Sequence, residues 1–392
     1  MSEVRILYAL NVYRPYIDGV GISIERQAIG LAARGHEVAI VAPGLRFADT
    51  QERWGQIKVF RLRAVKVIAD QWRLPVVPER GVVRAFQAFD PDVVVVSVPF
   101  FLSRSAWQAA RACGRPLVGI TSMMPEWLYY NVGLLKPLAG VLNSGLWRII
   151  TDYYNQCDCV VGVTETALRF LEAHGLRRPS RVISNGVPLD RFCARPRDEA
   201  LAARLGVPRK PTVIYAGRLD AEKCVDACVR AIPSVVREVD AHFVVGGEGT
   251  QRLALEELAR ELGVADRVTF PGFLPAEEYE RLYSLGDVFA IASPCELQSI
   301  VTLEAAASGL PIVAANAGAL PELVRPGGNG YLFPPGDSLA MAEAIVRILR
   351  DRELARNMAE ASRQIAQAHD INETYRHYEE LYQEMTARRR VA

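Results

Sequence analysis

Residues 288–316, "VFAIASPCELQSIVTLEAAASGLPIVAAN", decide the fold class, because they spell strand, loop, helix, turn and strand in succession. "VFAIAS" is a continuous apolar run with no polar alternation, as expected of a strand covered on both faces. "PCELQ" is its exit loop, "SIVTLEAAASG" is a helix starting near Ser299 and stopped by Gly309, and "PIVAAN" is a second buried strand. Two such strands joined through a helix form a parallel βαβ unit. Glu296 then falls at a strand's carboxyl end and Glu304 more than a turn inside the helix, amid Ala305, Ala306 and Ala307. A carboxylate packed that tightly needs donors, and a ribose diol is one source of them.

The same rhythm extends outward. "VRILYAL", "HEVAIVAP", "IKVFRL", "VVVVSV", "PLVGIT", "CVVGVT" and "RVIS" predict strands in the first half, separated by helical stretches such as "GISIERQAIGLAARG". "TVIYAG", "AHFVVGG", "VTFPG", "VFAIAS", "PIVAAN" and "GYLF" repeat the pattern in the second. The expected architecture is α/β, with two Rossmann-like doubly wound parallel-sheet domains facing each other across a cleft. Between the halves, residues 185–210 are rich in proline and charge and read as a connection. The predicted division is 1–187 for the first domain, 188–209 for a linker and 210–369 for the second, with the tyrosine-rich helix 370–392 packing back across the first.

Composition fits this division. A chain of 392 residues, half of them apolar, suits two cores. A net charge of +1 gives no global attraction to nucleic acid, so none is expected as a partner. Seven cysteines without CxxC spacing read as reduced thiols, with neither a disulfide framework nor a zinc site. The start runs straight into "VRILYAL", and no apolar stretch is long enough to span a bilayer. The expected location is the cytoplasm, with attachment to the inner face of the membrane left open.

Ligands of open parallel sheets collect at the strands' carboxyl ends. In "YRPYIDGVGISIERQ", Gly19 and Gly21 follow the first strand and open a helix; they suit close approach of a ligand, and equally a plain turn. In "YAGRLDAEKCVDA", Arg218 and Lys223 follow Gly217 and could straddle a diphosphate; the alternative is a solvated Arg and a surface Lys paired with Asp220 or Glu222. In "VVGGEGTQRLALEEL", the glycines around Gly247 could shape a nucleotide wall.

Together these segments resemble the retaining GT-B glycosyltransferases, a large family that includes bacterial glycogen and sucrose synthases, phosphatidylinositol mannosyltransferases and diacylglycerol glucosyltransferases. The likeness runs through "DGVG", "RGHEV", "NGVPLDRF", "AGRLDAEK", "GGEG", "EAAASGLPIVAANAGALPELV" and "GNGYLFPPGD". It implies transfer of a hexose from a nucleoside diphosphate sugar, expected to be a UDP-hexose, to an acceptor hydroxyl on a diacylglycerol-type lipid or a small molecule, with no required cofactor or metal. By the same resemblance Arg218 and Lys223 hold the diphosphate, Glu296 meets sugar hydroxyls and Glu304 takes the ribose. Gln298, Ser299, Ile300 and Val301 contact sugar or phosphate through the backbone, and Gly19, Gly21, Gly217 and Gly247 line the site.

Three positions depart from the family pattern. Many members carry a histidine at a first-domain strand end, where "VGITSMMPEWLYYN" offers Thr121 or Ser122. Cys224 and Ser299 stand where glycines are usual. His36, in a helix-to-strand turn, and His174, at a helix end, read as structural. Basic-apolar stretches at 58–77 and 140–154 could provide a membrane-facing surface. A sugar-nucleotide epimerase and a non-catalytic sugar-nucleotide binder are the rival readings, and oligomeric state is not legible.

Overall fold

The computed structural model describes residues 3–15, 19–66, 73–98, 100–121, 124–125 and 139–391. They form two compact units, one comprising Met1–Pro125, Gly140–Asn185 and Asn372–Ala392, the other containing Gly186–Ile371.

The first unit is built on strands β1 (Arg5–Ala9), β2 (Glu37–Pro43), β3 (Thr50–Trp54), β4 (Ile57–Leu62), β7 (Val93–Val96), β8 (Leu117–Thr121), β9 (Cys159–Gly162) and β10 (Ser180–Val182). Their order across the sheet is β10-β9-β8-β7-β1-β2-β4-β3, parallel except for β3, which pairs antiparallel with β4. A separate hairpin joins β5 (Ala64–Lys66) to β6 (Arg73–Pro75). Strand β7 is four valines, all buried, as a central parallel strand requires. Helices α1 (Gly19–Ala33), α2 (Pro78–Phe89), α3 (Phe101–Ala112) and α5 (Glu165–Ala173) pack on the sheet, and α4 (Ala139–Tyr154) precedes β9. The seven strands expected here are present. Strand β3 and the β5–β6 hairpin were not expected, because "TQERW" is polar and largely exposed on an edge and three-residue strands leave no periodicity.

The second unit has six parallel strands ordered β13-β12-β11-β14-β15-β16. They are β11 (Thr212–Ala216), β12 (His242–Gly246), β13 (Val268–Gly272), β14 (Val288–Ile291), β15 (Ile312–Ala315) and β16 (Gly330–Phe333), all six expected from sequence. Between them run α7 (Val225–Glu238), α8 (Arg252–Glu261), α9 (Ala276–Leu282), α10 (Ile300–Ala307) and the short α11 (Leu320–Leu323), followed by α12 (Ser338–Arg350) and α13 (Arg352–Gln367). The order reverses between β11 and β14, so that the crevice outside their carboxyl ends is the switch point where such sheets hold ligands.

Residues 188–209 are not a bare linker. They contain helix α6 (Glu199–Leu205), N-capped by Asp198, and bury Phe192, Leu201, Ala202 and Val207 in the second core. Apolar residues hidden among the prolines and charges explain the difference. Helix α14 (Ile371–Val391) does return to the first unit. Tyr378, Leu381, Tyr382 and Met385 are buried there, and the Tyr8 and Tyr382 hydroxyls lie 3.4 Å apart. Glu379 meets His36 Nε2 and Arg34, each at 3.0 Å, while His36 Nδ1 accepts from the Val4 backbone, so His36 is structural as expected. Gly30 of α1 admits this helix, since a Cβ there would sit 2.2 Å from the Tyr375 ring.

Candidate active site

Two loops leave the second unit's sheet flush against each other. Gly217, after β11, and Gly247, after β12, have φ of 144° and 141°, outside the range of other residues. A Cβ on Gly247 would lie 1.8 Å from the Gly217 carbonyl oxygen. Gly217 N donates to Gly246 O at 3.0 Å and Leu219 N to Glu248 O at 2.9 Å, locking the pair. Both predicted glycines thus fix backbone geometry at the switch point's border.

The predicted cations take different surroundings. The Arg218 guanidinium is gripped by Asp220 and by Glu222 at 2.6 Å, and Asp220 is fixed in turn by the Thr250 N–H and hydroxyl, each at 3.0 Å. The alternative weighed from sequence, a solvated Arg with Lys223 paired to Asp220 or Glu222, does not form: Arg218, 41% exposed, takes both acids, and the Glu222 carboxylate is buried. Lys223 ends a short 3-10 turn, and its Nζ donates to Glu296 Oε1 at 2.7 Å. Their side chains are only 19% and 11% exposed. Lys223 comes from beyond β11 and Glu296 from beyond β14, so neighbouring strand ends deliver one cation and one carboxylate to one place. The Glu296 carbonyl accepts from Ala319 N at 2.8 Å, pinning this loop to the one after β15.

Both departures in this unit have structural consequences. Cys224 sits at φ 48°, ψ 40°, the left-handed region that a glycine occupies without strain. Ser299 is the N-cap of α10: its Oγ accepts from Thr302 N at 3.3 Å and from the Thr302 hydroxyl at 2.7 Å. Ile300 and Val301 begin the helix behind that cap, where first-turn N–H groups favour an anion, and Gln298 is buried beside it.

Glu304 is 1% exposed. Its Oε2 accepts from the Tyr279 hydroxyl at 2.8 Å and from the Tyr283 hydroxyl at 3.0 Å, and the two hydroxyls are 3.0 Å apart. Burial pushes the Tyr283 hydroxyl pKa well above its usual 10, so it stays a donor. These tyrosines are a second source, besides a ribose diol, of the donors that the buried carboxylate needs. They were missed, although "EEYERLYS" places them four residues apart, on one helical face.

In the first unit, Gly19 and Gly21 open α1 beyond the carboxyl end of β1. Gly19 is exposed, with open space where a Cβ would stand, and Gly21 is buried. Thr121 ends β8 and is buried, whereas Ser122 lies outside the described residues. Sequence reasoning also missed Glu25, a buried acid of α1 that takes Arg14 in two hydrogen bonds of 2.6 and 2.8 Å and the Tyr13 hydroxyl at 3.1 Å. Burial and Glu25 raise the Tyr13 pKa, and this clamp sets the loop after β1. Asn185, from "NGVPLDRF", accepts from Ser23 of α1 at 2.5 Å. His174 caps α5 and stacks on Trp147 at 5.4 Å, a structural role. Among the described residues, no group of three or more His, Cys, Asp or Glu side chains could hold a metal ion.

Comparison with known proteins accounts for nearly the whole chain. Residues 17–191 match the family model Glycosyltransferase Family 4, and residues 197–365 match Glycosyl transferases group 1. Over 373 residues the chain is 34% identical to the GDP-mannose-dependent alpha-(1-6)-phosphatidylinositol monomannoside mannosyltransferase of Mycolicibacterium smegmatis, covering 91% of this chain and 92% of that one. It is 27% identical over 357 residues to a GDP-mannose-dependent alpha-mannosyltransferase of Mycobacterium tuberculosis, covering 90% of each. The solved sucrose-phosphate synthase of Thermosynechococcus elongatus is similar in fold, with a TM-score of 0.81 at 23% identity over 97% of this chain and 99% of that one.

Proposed function

The chain belongs to the group 1 glycosyl transferases and has their GT-B fold, and from that premise we propose that it transfers a hexose from a nucleoside diphosphate sugar to an acceptor hydroxyl with retention at the anomeric carbon. The observation that carries this reading is the 2.7 Å pair of Lys223 and Glu296 at the switch point between β11 and β14. A diphosphate leaving group needs a cation, and the sugar it leaves behind needs a hydrogen-bond acceptor for its hydroxyls. Lys223 and Glu296 supply the two side by side, with Arg218 adjoining on the same loop.

In this mechanism the bond from the anomeric carbon to the diphosphate oxygen breaks with its electron pair on the diphosphate. The acceptor oxygen bonds to that carbon from the face being vacated, and its proton passes to the departing diphosphate. Lys223 and Arg218 stabilise the developing charge, and no protein nucleophile is required. The α10 start, with Ile300 and Val301, faces the phosphates, and Glu304 holds the ribose. Thr121 or Ser122 takes the place of the family's imidazole, so catalysis rests on leaving-group stabilisation and acceptor positioning.

The two relatives described above carry GDP-mannose in their names, and the family resemblance implies a UDP-hexose; the assay therefore presents both. A lipid hydroxyl is the preferred acceptor, supported by the phosphatidylinositol monomannoside named for one relative. The test incubates the protein with GDP-mannose, UDP-glucose or ADP-glucose and a lipid extract, with products identified by mass. One donor is expected to give a glycolipid, and Lys223→Ala to lower turnover about 10²–10³-fold without unfolding the second unit. A near-normal rate in Lys223→Ala would remove the assignment. Donor epimerisation without acceptor, or donor binding without transfer, would replace the transferase reading by an epimerase or a sensor.

A further inference from the structure

The first unit carries a concavity at the opposite end of its strands from Gly19, Gly21 and Thr121. Its lining comes from α4 and from the two connections that lead into the amino ends of β9 and β10. Ser144, Arg148 and Asp152 stand four residues apart on one face of α4. With them come Asn155 and the loop after α5, which brings Arg177 and Arg178. The cavity measures about 960 Å³, enough for a small-molecule ligand.

Asn155 staples the two sides together. Its Nδ2 donates to the Gly175 carbonyl at 2.9 Å, its Oδ1 accepts from Arg177 N at 2.8 Å, and its backbone carbonyl takes Arg178 Nε at 2.8 Å. One residue thus fixes the loop that carries two guanidiniums. His174 adds a rigid wall, its Nδ1 donating to the Phe170 carbonyl at 2.7 Å while its ring stacks on Trp147.

Positive charge is left over here. Surface arginines elsewhere find acids, as Arg191 finds Glu280, Arg204 finds Glu278 and Arg350 finds Glu238. Among the described residues, no carboxylate lies within ion-pair distance of Arg148, Arg177 or Arg178, and Asp152, one turn from Arg148, does not engage it. Cations just past a helix end serve the helix dipole, which accounts for Arg177 and Arg178 after α5. It does not account for Arg148, since α4 runs on to Tyr154.

We propose that this cavity is a second ligand site, which takes a soluble phosphate monoester of the sugar phosphate kind. Without counting His174, three guanidiniums against one carboxylate leave two positive charges, and a phosphate monoester carries about −1.5 to −2 near pH 7. Planar guanidinium forks match phosphate oxygens in geometry as well as charge. Ala173 is the one apolar side chain in the lining, so the rest of the ligand is hydrophilic, with Ser144, Asp152 and Gln156 to meet its hydroxyls. Such a lining offers nothing to an acyl chain.

The test is calorimetry on the whole protein with glucose 6-phosphate, inorganic phosphate and, as the neutral control, glucose. Saturable binding is expected for both phosphates. Arg148→Gln and Arg177→Gln should each weaken it about tenfold or more, because each removes hydrogen bonds to a charged group. Glucose should give no heat that these variants abolish. Both arginines are exposed, so circular dichroism melts of the variants should match the parent. Lys223→Ala should leave phosphate binding intact; binding lost there and kept in the arginine variants would put the phosphate in the second unit and overturn the proposal. Absence of phosphate binding, or arginine variants that bind like the parent, overturns it equally. So does heat from phosphatidic acid vesicles with none from either soluble phosphate. The readout is binding alone, so failure of hexose transfer would leave this site standing, and loss of this site would leave the transferase reading standing.

Discussion

Tyr283→Phe deletes one hydroxyl from the cluster on Glu304, and the structure sets what that costs. The hydroxyl donates to Glu304 Oε2 at 3.0 Å, and both residues are 1% exposed, so water cannot readily replace it. A hydrogen bond to a charged group contributes about 1.5–3 kcal/mol. Tyr279 still donates at 2.8 Å, which places the loss toward the lower end, about 1.5–2 kcal/mol. With a denaturant slope of about 2 kcal/mol/M, the urea midpoint of the second unit should fall by about 0.75–1 M. The decisive comparison repeats the change in a Glu304→Gln background. There the acceptor is neutral and the same deletion should cost only about 0.5–1 kcal/mol, a coupling of about 1 kcal/mol between hydroxyl and carboxylate. Equal costs in the two backgrounds would refute the reasoning, because the charge would then not be what the tyrosine serves. Donor affinity, measured by calorimetry on the same proteins, separates function from support. If Glu304 holds the ribose, Glu304→Gln weakens donor binding about tenfold, by about 1.4 kcal/mol. Unchanged affinity alongside lost stability makes it a purely structural acid.

Two further outcomes follow from the geometry. Cys224→Gly should raise second-unit stability by about 0.5–1 kcal/mol, since relief of the left-handed backbone at φ 48° outweighs the added freedom of the unfolded chain; a lower urea midpoint would contradict this. Burial, with Lys210 and Arg267 nearby, pushes the His242 imidazole from 6.5 down to about 4, so the folded ring stays neutral where the unfolded ring binds a proton. Its contribution is therefore intact above about pH 6.5 and drains as pH falls toward 4. The urea midpoint at pH 5 should lie below that at pH 7, and His242→Gln should flatten the difference; an equal slope in the variant would exonerate this histidine.

Much of the fold was legible because parallel strands buried on both faces write themselves as unbroken apolar runs, as "VVVV" of β7 and "VFAI" of β14 do. Strand β3 was not, since an edge strand with polar residues on both faces has no such signature. The ends of β11 and β14 could be found because a charged residue after an apolar run is conspicuous, and Lys223 and Glu296 do meet there. What supports them was harder to see. Tyr279 and Tyr283 look like ordinary amphipathic helix residues until α10 is laid against them, and Glu25 meets Arg14 only because the loop after β1 folds back. Ser299 stands where a glycine is usual, and its hydroxyl caps the helix that a glycine would leave without a side-chain cap.

The return of α14 to the first unit has a consequence for the order in which the protein is made. Gly186–Ile371, which carries the whole six-stranded sheet of the second unit, is one continuous stretch. The first unit, although begun earlier, waits for residues 372–391, which a ribosome adds only after the whole second unit. Until then Tyr8, Gly30 and His36 lie along an uncovered seam, the kind of transiently exposed apolar surface that chaperones bind. A premature stop before Asn372 would therefore spare the unit it follows and damage the one encoded at the opposite end of the gene.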